Sequence, residues 1–311
     1  MFKLGIVGAG IIGRDHSAAI LRNEDCELVA VCDTVLERAE EIAAAHKAKS
    51  FTDYKEMCEQ VELDAVILNL PHFLHHDVTV YFLEKGVNVL VEKPMAMSVE
   101  ECDSMIAAAE KSGAKLAVGH VQRYYSAYEE IKKIKESGKL GELKMITEVR
   151  NVNYLPGRPK WFLDKKLSGG GIVMNYGAHT IDKIMYVSGE KVVEATSYLS
   201  NPLSDDNVEI NAQILLKFTG NITATVTYCG CPDTRAYETV FYFTNGMAKA
   251  AGGSDFCVFE NNQWVNYGGT TDLLYDQLVE FVKFLKGEES NIVTPEYGRE
   301  VIAAIEKIYA D

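Results

Sequence analysis

The chain has 311 residues, 47% of them hydrophobic and 24% charged, with a formal net charge of −14. That length exceeds the roughly 250–300 residues over which a single core grows, so two domains are expected in a globular protein of ordinary composition. The acidic balance argues against nucleic acid or an anionic membrane as partner, and no apolar run approaches the roughly 20 residues of a membrane span.

The first strand, Phe2 to Val7, begins at once and feeds a glycine loop. This leaves no room for a signal peptide, and a cytoplasmic location is expected. The seven cysteines are scattered without a CxxC pair, so free thiols are expected, with no metal site.

After Lys3 to Val7, Gly8-Ala9-Gly10-Ile11-Ile12-Gly13 opens a helix reaching about Leu21. This is G-x-G-x-x-G in the context of strand, tight turn and helix. The first glycine makes the turn, the second leaves room for a pyrophosphate, and the third lets helix and strand pack closely. Unpaired N–H groups at the helix start complete a phosphate site. A second strand, Glu27 to Cys32, ends in Asp33, twenty residues past Gly13. An acid there suits the ribose 2′-hydroxyl and repels a 2′-phosphate, so NAD is favoured over NADP.

Helical and strand patterns then alternate. Val35 to His46 reads as a helix and Asp64 to Leu70 as a strand ending at Pro71. Asp77 to Lys85 is a helix, followed by the apolar strand Val87 to Val91 and then Glu92-Lys93-Pro94. Ser98-Val99-Glu100-Glu101 is a capping box starting a helix to Ser112, and Lys115 to Val118 is one more strand. The pattern predicts a Rossmann-type, doubly wound parallel sheet over residues 1–120. Its strand ends at Gly8, Asp33, Pro71, Lys93 and Gly119-His120 share one crevice. Pro94 cannot continue the ladder, so the chain turns at Lys93 and aims an ammonium there.

Residues 121–311 read as a second α/β domain. An amphipathic helix over 121–140 is followed by long alternating strands: Leu143 to Tyr154, Val192 to Leu199, Val208 to Phe218, Ile222 to Tyr228, Ala236 to Thr244 and Phe256 to Glu260. Helices over Asp272 to Lys286 and Pro295 to Tyr309 close the chain. A large open, mostly antiparallel sheet with one buried face is expected. Its other face is rich in Thr and Tyr, which suggests cover by another subunit. Between the first two strands, Ser168-Gly169-Gly170-Gly171 precedes a helix whose spacing aligns Asn175, His179 and Asp182. The glycines permit close approach of backbone to a ligand, and His179 can take a proton near neutral pH.

With Gly8/Gly10/Gly13, Asp33, Glu92-Lys93-Pro94 and Gly169-Gly170-Gly171…His179-Thr-Ile-Asp182 in order, the sequence resembles the Gfo/Idh/MocA oxidoreductases over essentially its whole length. The resemblance implies a Rossmann domain, an open-sheet domain used for dimers or tetramers, and bound NAD(H) or NADP(H). It implies a sugar, polyol or nucleotide-sugar substrate, with Lys93 on the reacting oxygen, a cis peptide to Pro94, and His179 as general acid/base. The family pattern D-x-x-x-H has Asn175 here in place of Asp; an amide cannot relay a proton, so Asn175 is left to orient substrate or His179. Pro71 and His75 then fall near the cofactor. His120, Gln122 and Arg123 fall near substrate or nicotinamide, and Tyr154, Arg158 and Trp161 near the sugar. Loops around Arg158, Trp161 and Asp233-Thr234-Arg235 would set the substrate. A nicotinamide-binding regulatory protein and an enzyme that retains its cofactor are the alternatives.

Overall fold

The computed structural model describes residues 1–231 and 235–310. The chain divides into two compact units, Met1–Val121 with Asp272–Arg299, and Gln122–Thr271 with Glu300–Asp311.

The first unit is built on six parallel strands, β1 (Phe2–Val7), β2 (Cys26–Cys32), β3 (Lys49–Phe51), β4 (Ala65–Leu68), β5 (Asn88–Glu92) and β6 (Leu116–Gly119). Their order, β3-β2-β1-β4-β5-β6, is the doubly wound one. The central strands are apolar on both faces, as β4 (Ala-Val-Ile-Leu, wholly buried) shows, because helices cover both sides. These helices are α1 (Ile11–Ile20), α2 (Leu36–His46), α3 (Tyr54–Gln60), α4 (His72–Glu84) and α5 (Val99–Ser112). Ser98 caps α5 by accepting from Glu101 N–H, as the capping box requires.

Three features differ from expectation. The short pair β3 and α3 went unread, although Asp53 caps α3 through Lys55 and Glu56 N–H. Helix α4 starts at His72, not Asp77, with Pro71 as its N-cap; a proline fits a helix start because the N–H it lacks has no partner there. The boundary near residue 121 also leaves out a piece. Helix Leu273–Lys286 buries Leu278, Phe281 and Val282 in the same core as Ala19, Ile20, Cys26 and Leu28, so residues 272–299 pack with the first unit.

The second unit carries an eight-stranded sheet of order β14-β13-β12-β11-β7-β10-β9-β8. The strands are β7 (Leu143–Asn151), β8 (Val192–Ser200), β9 (Asn211–Phe218), β10 (Thr223–Cys229), β11 (Ala236–Phe243), β12 (Gly246–Ala251), β13 (Phe256–Glu260) and β14 (Gln263–Tyr267). All neighbours are antiparallel except β7 and β10. Along β9 and the turn before it, Val208, Ile210, Ala212, Ile214, Leu216 and Phe218 are buried, as the alternation predicts. Helices α6 (Ser126–Ser137), the short α7 (Lys165–Ser168) and α8 (Ala178–Ser188) complete the unit with residues 300–310. Met145, Val149, Leu215 and Tyr198 remain exposed on the strands, at 39%, 42%, 58% and 83%. The seven cysteines stand free. Among the described residues no helix is long and apolar enough to cross a membrane.

Candidate active site

The glycine loop connects β1 to α1, and two of its glycines are dictated by backbone contact. Gly8 has φ +98°, and a Cβ there would lie 2.2 Å from the carbonyl oxygen of Asn69. A Cβ on Gly13 would lie 2.1 Å from the carbonyl oxygen of Gly8. A Cβ on Gly10 would meet nothing within 4 Å, so this position opens outward. Gly10 caps α1 without a side-chain hydrogen bond, and the first turn has no acidic residue. The helix N–H groups are therefore left to an anion. Ile11 and Ile12 stand exposed beside them. The side-chain amide of Asn69, at the end of β4, is buried with no hydrogen-bond partner among the described residues. Asp33 closes the other side: Oδ2 accepts from Ala9 N–H at 2.8 Å and Oδ1 from Val35 N–H at 2.9 Å. These features fit a dinucleotide.

At the end of β5 the peptide Lys93–Pro94 is cis, as the resemblance implied. The turn is braced from two sides. His75, fully buried on α4, sets Nδ1 2.7 Å from the carbonyl oxygen of Pro94 and Nε2 2.8 Å from that of Leu70. Both ring nitrogens thus serve the chain itself. Burial pushes the His75 imidazole below its ordinary pKa against these hydrogen bonds. On the other side Glu92 meets His16 Nε2 at 3.0 Å and accepts from Lys93 N–H at 3.2 Å. Burial opposes ionisation of Glu92, but His16 and the Lys93 charge outweigh it and hold the carboxyl below its usual value. Gly119 leaves room for that carboxylate, since a Cβ there would come within 3.0 Å of Oε1. His120 follows it, fully buried.

In the second unit two of the three glycines lie tightly against the chain. A Cβ on Gly171 would lie 1.9 Å from the carbonyl oxygen of Glu209, and one on Gly170 2.0 Å from Tyr309 OH. At both positions the close approach is to the chain itself. The Glu209 carboxylate accepts from Gly171 N–H (3.0 Å), Val173 N–H (2.9 Å) and Tyr309 OH (2.7 Å). That clamp starts a π-helical turn, Val173–Gly177, which runs into α8. Extra-wide turns of this kind are frequent at functional sites. Asn175 lies in the π turn and His179 early in α8, each 7% exposed. Asp182, aligned with them in sequence, is wholly buried and paired with Arg123, whose guanidinium is thereby committed to the fold.

Around Asn175 stand the other expected residues and several unexpected ones. Tyr154 is buried; burial raises its pKa, with Arg158 and Asn175 opposing. Arg158 lies over the Tyr154 ring at 3.8 Å and donates to the Tyr154 carbonyl and to Tyr176 OH. Trp161 stacks on Phe162. Arg150, on β7, lies 4.6 Å from the Tyr176 ring and 4.0 Å from that of Tyr237. Below it Glu148 accepts from Thr180 and, at 3.0 Å, from Thr239, and sits 3.6 Å from Lys183 Nζ. Burial drives Lys183 down to about 7, Glu148 opposing and Arg150 assisting. Asp233 and Thr234 lie outside the described residues. Lys93 belongs to the first unit and His179 to the second.

Comparison with known proteins decides the family. Residues 2–120 match the family described as "Oxidoreductase family, NAD-binding Rossmann fold", and residues 128–249 match the GFO/IDH/MocA C-terminal domain. The chain belongs to the Gfo/Idh/MocA oxidoreductase family. Among similar family members is a 1-carboxy-3-chloro-3,4-dihydroxycyclohexa-1,5-diene dehydrogenase of Comamonas testosteroni, 30% identical over 73% of this chain and 58% of its own. Another is a D-glucoside 3-dehydrogenase of Escherichia coli (strain K12), 33% identical over 63% of this chain and 56% of its own. The chain spans somewhat under three fifths of the length of these two relatives. The fold is shared with an aldose-aldose oxidoreductase from Caulobacter crescentus: TM-score 0.90, 22% identity, 99% of this chain and 96% of that one. Residues 2–120 of this Gfo/Idh/MocA protein, which include the glycine loop, form its NAD-binding Rossmann domain.

Proposed function

We propose that the protein is an NAD-dependent dehydrogenase acting at a hydroxyl carbon of a sugar, inositol or nucleotide-sugar. The observation that carries this reading is an ammonium, Lys93, placed at the carboxyl edge of the sheet that also bears the glycine loop, on a turn held by His75 and Glu92. The names of the E. coli and Comamonas relatives, both dehydrogenases, support it.

In the oxidative direction His179 accepts the hydroxyl proton as the carbon–oxygen bond becomes a carbonyl, and Lys93 donates a hydrogen bond to the oxygen as negative charge develops. NAD, when bound, takes up the hydride that leaves the same carbon. Asn175 holds substrate or His179 in place and moves no proton. Gly8 to Gly13 and Asp33 hold the dinucleotide, with Pro71 and His75 supporting the adjoining strand ends.

The test is nicotinamide absorbance with NAD or NADP and a panel of inositols, aldoses, sugar acids and nucleotide-sugars, beside His179→Ala. Reduction by one class, lost in the variant, supports the reading. Silence across the panel despite tight NAD binding favours a regulatory protein, to which Asn175 in place of Asp gives room. The exposed Met145, Val149, Leu215 and Tyr198 support a homo-oligomer formed through the open sheet face. Sedimentation showing only monomer at micromolar concentration would count against it.

A further inference from the structure

The arginines of this chain fall into three groups. Arg14, Arg22, Arg123 and Arg299 each meet a carboxylate. Arg38 and Arg235 are exposed to water. Arg150 and Arg158 are neither. Arg150 is 7% exposed, no carboxylate among the described residues lies within salt-bridge distance of it, and its Nη1 has no hydrogen-bond partner there. Arg158, half-buried, spends its donors on a carbonyl and a phenol. Both lie by one ring, that of Tyr176, at 4.6 and 5.7 Å, immediately after Asn175.

A guanidinium cannot shed its charge, and withdrawing it from water is costly unless an anion compensates. The nearby Glu148 does not suffice. Its oxygens are engaged by Thr180, Thr239 and Lys183, so Arg150 has no carboxylate of its own among the described residues.

We propose that the substrate carries an anionic oxygen group, a carboxylate or a phosphate, held in the field of Arg150 and Arg158 beside Tyr176. The inference rests on the dehydrogenase reading for the identity of the ligand as substrate, but its test is equilibrium binding. Calorimetry on the NAD-loaded protein would compare D-glucuronate, glucose 1-phosphate, glucose and myo-inositol. Tighter binding of the anionic sugars by ten-fold or more is expected, with glucuronate against glucose 1-phosphate distinguishing carboxylate from phosphate. In Arg158→Met that preference falls by ten-fold or more, and Arg158→Lys restores part of it. Arg150→Met does the same where circular dichroism shows it folded; otherwise Arg158→Met decides alone. Equal binding of neutral and anionic sugars, a preference unchanged in Arg158→Met, or no binding of either anionic sugar would overturn the proposal. Hydride transfer from a neutral sugar in that last case would leave the dehydrogenase reading standing.

Discussion

His75 Nδ1 lies 2.7 Å from the carbonyl oxygen of Pro94, and this contact ties the first turn of α4 to the segment that presents Lys93. His75→Ala removes the one N–H that a neutral imidazole donates to these carbonyls and leaves a ring-sized hole. The expected loss is about 2–4 kcal/mol in urea unfolding, with a fall in kcat larger than any change in NAD affinity. Full activity in a folded His75→Ala protein would show that the turn stands without it. The lowered pKa also has a sign. Below the ordinary histidine value of 6.5 the unfolded chain binds a proton that folded His75 resists, so this contribution is complete above 6.5 and declines as pH falls.

Lys183 acts at the other end of the scale. Folded, it titrates at about 7, whereas its ordinary value is 10.5. Between those values the unfolded chain holds the extra proton, so stability rises with pH by on the order of 1 kcal/mol per unit. Unfolding at pH 7, 8 and 9 should show this rise in the native protein, and Lys183→Met should remove it. Parallel pH profiles for the two proteins would contradict the assignment.

The network around β7 also shows why part of the site was hidden in the sequence. Alternation along a strand normally sends apolar residues inward. In β7 the inward row is Ile146, Glu148 and Arg150, while Met145 and Val149 face out. A rule built on hydrophobicity assigns that strand the wrong face. Arg150 became visible only through its neighbours Tyr176 and Tyr237. Gly8, Gly13 and Asp33 were legible because local backbone sterics and spacing dictate them. Glu209 was not, because its partners Gly171 and Tyr309 lie 38 and 100 residues away. The helix over 273–286 was read correctly as a helix, yet its amphipathic pattern carries no address, and it packs in the first unit.

Glu209 holds the start of the π turn that carries Asn175. Glu209→Ala strips acceptors from Gly171 and Val173 N–H and from Tyr309, and should destabilise the protein by about 2–4 kcal/mol. Tyr309→Phe removes one donor and should cost about 1 kcal/mol. Thermal melts of both variants check the ranking; a larger loss for Tyr309→Phe would refute it.

Asp33 bridges the glycine loop to the end of β2. Asp33→Ala should weaken NAD binding and, by removing a negative charge, relax discrimination against NADP. Calorimetric titration with both cofactors reads the ratio, and an unchanged ratio would refute the role.

The central claim is that Lys93 acts on the reacting oxygen and not on the cofactor. The most direct test is Lys93→Ala, measured twice on one preparation: NAD affinity by calorimetry, and turnover with whichever sugar class the native protein oxidises. NAD affinity should stay within a few-fold of native while kcat falls by about 10²–10⁴. Turnover close to native with the lysine gone would contradict it.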